Sequence, residues 1–467
     1  MGGELRASDL RAVREQLGRE PTVPFSVVAR CTVGHPLVIR NDPFDAEGDP
    51  FPTTYWLTCP EAVHRVSTLE SQGRIARLNE RYDVDETFRR DVNAAHAAYA
   101  AERGALAPGA EAWGGVGGTR RKIKCLHAHF AYHLSGGDDP AGREVAAEVD
   151  PLLHGGVPAN RVGAIDQGTN STRLLILEPR PEEEPLEVCR DMVITRLGQG
   201  VDETGRLAPE AIDRAMRAIA RFARRARAQH VDDRLRIGAT SAVRDAADGE
   251  GFLRGVRELL AIDPQLIDGE SEASLSFLGG TRGLDPAAGP FLLVDVGGGS
   301  TEIVFGREPG VAERSISTQI GSVRLTERVG PSDPPTDADL EAFRAGASAE
   351  LEAAEAHLPV GARTFVAVAG TATTLQACAL GLGRYDPDLI HRSTLSRAEA
   401  ERTLRGLAAM TNRERAAIPV MPPGRGDVIV AGAAILVEAM RRFGFEEALV
   451  SETDILDGLA LELLGVR

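Results

Sequence analysis

Two stretches of this chain repeat one another, and the repeat limits the folds open to it. Ala164-Ile165-Asp166-Gln167-Gly168-Thr169-Asn170-Ser171-Thr172 and Leu293-Val294-Asp295-Val296-Gly297-Gly298-Gly299-Ser300-Thr301 align on Asp166 and Asp295, 129 positions apart. Each is an apolar run ending in Asp, then Gly, then Ser-Thr, then a second apolar run, Leu174 to Leu177 in one copy and Ile303 to Phe305 in the other. The pattern describes a duplicated hairpin with a phosphate-sized tip. Glycine turns the backbone tightly and lets successive N–H groups meet an anion, and Ser and Thr add hydroxyl donors. A carboxylate facing a phosphate asks for a divalent cation between them. One Asp-x-Gly turn carries little, because many hairpins place Gly after Asp; two matching copies carry more.

At 467 residues, 43% hydrophobic and 26% charged, the chain has room for two to four lobes of an ordinary globular protein. Its first residues lack a signal-peptide apolar core and no apolar run approaches membrane-spanning length, so a cytoplasmic protein without membrane contact is expected. Five scattered cysteines point to reduced thiols. A net charge of −16 argues against nucleic-acid binding and requires any polyanion to meet a local basic pocket. Only Lys122 and Lys124 are lysines among 53 basic residues, so arginine must supply nearly every phosphate clamp.

A compositional seam falls near residue 155. Upstream lie both Trp, four of five Tyr and seven of ten His; downstream the chain turns rich in Ala, Gly, Leu and Arg. Residues 150–158 read as a linker, dividing a module at 1–155 from one that alternates strand and helix patterns. Strands are expected at 162–165, 174–177, 188–196, 235–239, 291–294, 303–305, 365–369 and 448–451. Helices are expected at 208–230, 248–260, 271–283, 337–357, 396–408 and 426–443, with a last helix near 455–464 returning to the first lobe. Strands interleaved with amphipathic helices, twice over, describe two α/β lobes at 160–286 and 287–467.

The ordered runs VGAIDQGTNSTRLLIL, IGATSAVRDA, IDGESEASLSFLG, LLVDVGGGSTEIVFG, SISTQIGSVRLTE and VAVAGTATTL resemble the exopolyphosphatase / guanosine pentaphosphate phosphohydrolase family over about residues 160 to 467. The resemblance implies an α/β fold: the duplicated two-lobe, ribonuclease H-like architecture of actin, sugar kinases and heat-shock chaperones. An additional N-terminal α+β module precedes it. The region from Phe25 to Ala100 is similar to an uncharacterised actinobacterial module, which implies no activity. Expected substrates are inorganic polyphosphate or guanosine pentaphosphate, with Mg²⁺ or Mn²⁺ as cofactor. Self-association as a homodimer stays open. A sensor that binds polyphosphate or an alarmone without turnover is the alternative from another class; a sugar kinase is disfavoured for want of a recognisable adenosine pocket.

Glu272 matches the family's general base. From the residues alone, a carboxylate at a helix start reads equally as a water-directing group or as a complement to the helix dipole; Glu270 ranks second. Arg244 follows a strand and would point a planar fork at phosphate oxygens, and Arg173 would lie beside the phosphate. Gly168, Thr169, Asn170, Ser171, Gly297, Gly298, Gly299 and Ser300 form the tips, and Gly370-Thr371 opens a helix where an anion is welcome. Asp166, Asp295 and Glu302 are the expected metal ligands. Arg214, Arg217, Arg221, Arg224, Arg225 and Arg227 crowd one helix; a solvated face is the plainer reading, a track for polyphosphate the bolder one. Cys125, His127, His129 and His133, with Cys31, His35, Cys59 and His64 as further donors, match no zinc-finger spacing and read more simply as a packed core.

Overall fold

The computed structural model describes residues 7–31, 34–45, 48–51, 53–107, 109–149, 160–180, 184–231, 233–358 and 361–466. The expected linker, 150–158, lies outside the described residues. Two compact units emerge. The first comprises Met1–Gly163, Leu175–Asp191 and Ala220–Leu235; the second comprises Ala164–Leu174, Met192–Ile219 and Arg236–Arg467. Among the described residues no helix is long and apolar enough to cross a membrane.

In the first unit, a three-stranded antiparallel sheet of Phe25–Arg30, Pro36–Asn41 and Tyr55–Leu57 precedes helices Pro60–Ser71, Arg74–Val84, Glu86–Leu106, Leu126–Leu134 and Pro140–Val149. The rings of Tyr55, Tyr99 and Tyr132 pack with centroids 5.1 to 5.9 Å apart, and Glu102 accepts from the hydroxyls of Tyr55 and Tyr132 at 3.1 and 3.0 Å. Arg221 pairs with Glu102 at 3.0 Å, Arg224 donates to the Gly136 carbonyl at 3.0 Å, and Arg225 donates to the Ser135 carbonyl at 2.8 Å and pairs with Asp191 at 2.5 Å. This part of the arginine-rich helix Pro209–Ala228 is therefore neither a solvated face nor a polyphosphate track. Buried guanidinium groups need several acceptors, and this unit supplies them.

In the second unit, a six-stranded sheet runs in the order Arg314–Thr318, Thr301–Gly306, Phe291–Val296, Thr364–Val368, Glu447–Val450, Ser393–Ser396. Strands 291–296 and 301–306 form the second hairpin, pairing Asp295 with Glu302. Phe291–Val296 runs parallel to Thr364–Val368, and both strands are almost wholly buried, as parallel pairs are. A five-stranded sheet, not confined to the second unit, runs in the order Leu186–Ile194, Ser171–Glu178, Val162–Gln167, Leu235–Ala239, Gln265–Leu266. Helices Gly269–Thr281 and Ile455–Leu463 pack so closely that a Cβ on Gly279 would lie 1.9 Å from the Asp454 carbonyl oxygen. Leu459 of the last helix lies against strand Leu235–Ala239, at 3.3 Å from the Cβ position of Gly238.

Candidate active site

Every residue of the site belongs to the second unit. The two tips close with the same hydrogen bond at equivalent positions: Gly168 N–H donates to the Ser171 carbonyl at 2.9 Å, and Gly297 N–H to the Ser300 carbonyl at 3.0 Å. Each is also clasped from outside. The carbonyls of Thr169 and Asn170 accept from Gly198, Thr195 and Arg196, and those of Gly297 and Gly298 accept from Ser322, Val323 and Arg324. The carbonyls are thereby occupied, while the N–H groups of Thr169, Asn170, Gly298 and Gly299 have no hydrogen-bond partner among the described residues. Such successive donors form an anion-binding concavity.

The tips touch. A Cβ on Gly298 would stand 3.0 Å from Thr169 Cβ, and one on Gly299 would stand 2.9 Å from Thr169 Oγ1 and 2.8 Å from Ser241 Oγ. Those two hydroxyls lie 2.7 Å apart. Glycine is needed here for close approach.

Charge separates the copies. Arg173 and Glu302 hold equivalent positions, each seven residues beyond its Asp. In the first copy Arg173 donates to Asp166 Oδ2 through Nη2 at 2.7 Å and Nε at 3.0 Å, and its Nη1 pairs with Asp454. The second copy instead places two carboxylates in register. Asp295 accepts from the Ser276 hydroxyl and Glu302 from that of Ser317, both at 2.7 Å. Glu272 joins them, accepting from Arg244 Nη1 at 3.1 Å while the same atom donates to the Ile267 carbonyl at 2.8 Å.

These carboxyl groups resist ionisation. Burial, then Glu302, raises Glu272 well above the usual range against the pull of Arg244. Burial, Glu302 and Asp454 push Asp295 up to about 8. Burial also raises Glu302 against hydroxyl donors, and raises Asp166 against Arg173. The donor set fits a divalent cation: hard oxygen ligands, a local excess of negative charge, and Asp166 Oδ1 buried without a hydrogen-bond partner.

Glu272 is 8% exposed, unlike its exposed neighbour Glu270, so a surface role beside the helix dipole does not describe it. Arg173 is held between Asp166 and Asp454. Gly370 and Thr371 reach the base of the second tip, with Thr371 Oγ1 3.4 Å from the Val296 carbonyl oxygen. The Gly370 carbonyl accepts from Arg425 at 2.7 Å, and a Cβ on Gly370 would strike that guanidinium at 2.2 Å. Two residues escaped the sequence reading. Arg324, 7% exposed, pairs with Asp245 at 2.5 Å and Asp202 at 3.1 Å, and with Thr169 and Gly299 lines a small cleft. It lies inside the run SISTQIGSVRLTE, which was the available signal. Asp454 had none, being 281 positions from its partner Arg173.

Residues 180–466 match the Ppx/GppA phosphatase family, and residues 27–147 match a family described as a protein of unknown function (DUF501). The chain is 44% identical over 318 residues to exopolyphosphatase 2 of Mycobacterium tuberculosis, covering 65% of this chain and 99% of that protein. Among solved structures it resembles an exopolyphosphatase-like protein (36% identity, TM-score 0.60, 65% of this chain and 98% of that one). It also resembles the Aquifex aeolicus Ppx/GppA family member (29% identity, TM-score 0.55, 65% and 98%). The fold is theirs, the duplicated actin-like α/β architecture.

Proposed function

We propose, for a chain that belongs to the Ppx/GppA phosphatase family and is a phosphoanhydride hydrolase, that the substrate is inorganic polyphosphate, cut at its terminal anhydride. The observation that carries this reading is the union of four unpartnered N–H groups on two touching tips with a buried set of carboxylates. Likeness to exopolyphosphatase 2 supports the choice of substrate.

In this reading the N–H groups of Thr169, Asn170, Gly298 and Gly299, with the hydroxyls of Ser171 and Ser300, bind the oxygens of the last phosphates. Asp166, Asp295 and Glu302 would hold Mg²⁺ or Mn²⁺, which supplies charge neutralisation between carboxylate and phosphate when bound. Arg173 fixes Asp166. Glu272 orients water toward the terminal phosphorus and takes its proton. Arg244 holds that carboxylate and meets charge developing on the phosphoryl oxygens.

Glu272→Gln keeps shape while removing the base. Phosphate release from polyphosphate should fall by roughly 10²- to 10⁴-fold with substrate binding retained; unchanged turnover would remove Glu272 from the mechanism. Parallel Mg²⁺-dependent assays on long and short polyphosphate, guanosine pentaphosphate and ATP test the substrate. A higher kcat/KM for guanosine pentaphosphate than for any polyphosphate would make it the substrate, and binding of polyphosphate without release would make the protein a sensor.

A further inference from the structure

The cysteine- and histidine-rich run of the first unit divides in the structure. His129 is fully buried, with Nδ1 2.7 Å from Asp139 Oδ2. Cys125 and His127, at the start of helix Leu126–Leu134, instead meet Glu70 of helix Pro60–Ser71. Cys125 Sγ lies 3.9 Å from His127 Nδ1, and that nitrogen lies 3.3 Å from Glu70 Oε1. One donor atom from each residue lies within 4.8 Å of the other two. We propose that Glu70, Cys125 and His127 bind a zinc-class transition-metal ion.

The ring orientation supports this. His127 Nε2 is 3.1 Å from the Val63 carbonyl oxygen, which can only accept, and 3.2 Å from the Ser67 hydroxyl oxygen, which can also accept; a hydrogen on Nε2 satisfies both contacts. In the neutral ring Nδ1 then presents its lone pair to the thiol and the carboxylate. A ligating histidine is commonly oriented this way, through a hydrogen bond from its other nitrogen to a carbonyl. Two acceptors at 3.3 Å repel unless a proton or a cation lies between them.

The spacing suits the ion. Tetrahedral zinc with bonds of about 2.3 Å to sulfur and about 2.0 Å to nitrogen and oxygen separates N from O by about 3.3 Å and S from N by about 3.5 Å. The donors stand at 3.3 and 3.9 Å. His127 and Glu70 side chains are 22% and 26% exposed, which leaves an entry path and a fourth position for water. A thiolate-imidazole-carboxylate set selects zinc over magnesium, so this site differs in kind from the carboxylate cluster. The ion would join two helices already linked by the Leu126 N–H, which donates to Glu70 Oε1 at 2.6 Å.

The test uses the full chain stripped with a chelator and titrated with Zn²⁺ against a chromophoric competitor. One equivalent should bind tightly, and Cys125→Ser and His127→Gln should each weaken it at least about tenfold, with circular dichroism and Mg²⁺-dependent phosphate release unchanged. Loaded with Co²⁺, the wild type should show thiolate-to-cobalt charge-transfer absorption that Cys125→Ser abolishes. Failure of the folded wild type to take up Zn²⁺, equal uptake by both variants, or a cobalt complex without the thiolate band would overturn the proposal.

Discussion

The two glycine tips share one backbone and oppose one another in charge. Both close with the Gly-to-Ser bond and both hold an Asp at the end of the incoming strand, yet the next equivalent position is Arg173 in one and Glu302 in the other. The first tip is therefore nearly self-neutralised, its Asp166 held by a guanidinium that also binds Asp454. The second gathers Asp295, Glu302 and Glu272, whose like charges oppose one another where water cannot screen them. Duplication followed by divergence at a single position can turn a stabilising hairpin into one that calls for a cation, with no change in the turn itself.

Removing one carboxylate of the second tip should have the largest effect. Asp295→Asn is expected to lower phosphate release by about 10³-fold, the scale of losing a group that acts on the transition state, in a Mg²⁺-dependent assay of polyphosphate. Breaking the first tip should also act on stability. Arg173→Gln leaves two buried carboxylates facing one another and should cost about 3–5 kcal/mol by urea denaturation. If Arg173→Gln spared stability, the self-neutralised picture of the first tip would fail. A steric change sharpens the comparison without altering charge. Gly299→Ala presses on Thr169 and Ser241 and should lower turnover by about 10- to 100-fold through misplacement of the tips, with little change in thermal midpoint.

The periodic parts of the second unit were legible because burial there is local in pattern. Strands Val162–Gln167, Leu235–Ala239 and Phe291–Val296 stand where their apolar runs indicated, and helices Pro209–Ala228 and Gly249–Leu260 carry amphipathic faces. The strand Gln265–Leu266 left no signal, since two exposed residues owe their form to a neighbour rather than to periodicity. Glu272 was visible as a carboxylate, but the burial that sets it apart from Glu270 was not. Arg173 was visible as a cation after the first tip, but its pairing with Asp454, distant in sequence, was not. The arginines of helix Pro209–Ala228 were legible as charge but not as ligands of the Ser135 and Gly136 carbonyls. Cys125 and His127 were seen, but Glu70 reaches them only through folding.

The central claim is that buried negative charge at the second tip is held in check by protons until a cation replaces them. For Asp295 the folded pKa of about 8 lies above the ordinary value of 3.8. Its contribution to stability is therefore present in full below about pH 4 and is lost as pH rises toward and through about 8. The direct measurement is the stability difference between wild type and Asp295→Asn across pH 4 to 9, by urea denaturation with and without Mg²⁺. Without the cation, the wild type should weaken relative to the variant as pH rises, and Mg²⁺ should largely erase that slope. A difference that stays flat with pH, or one that Mg²⁺ leaves untouched, would contradict the account.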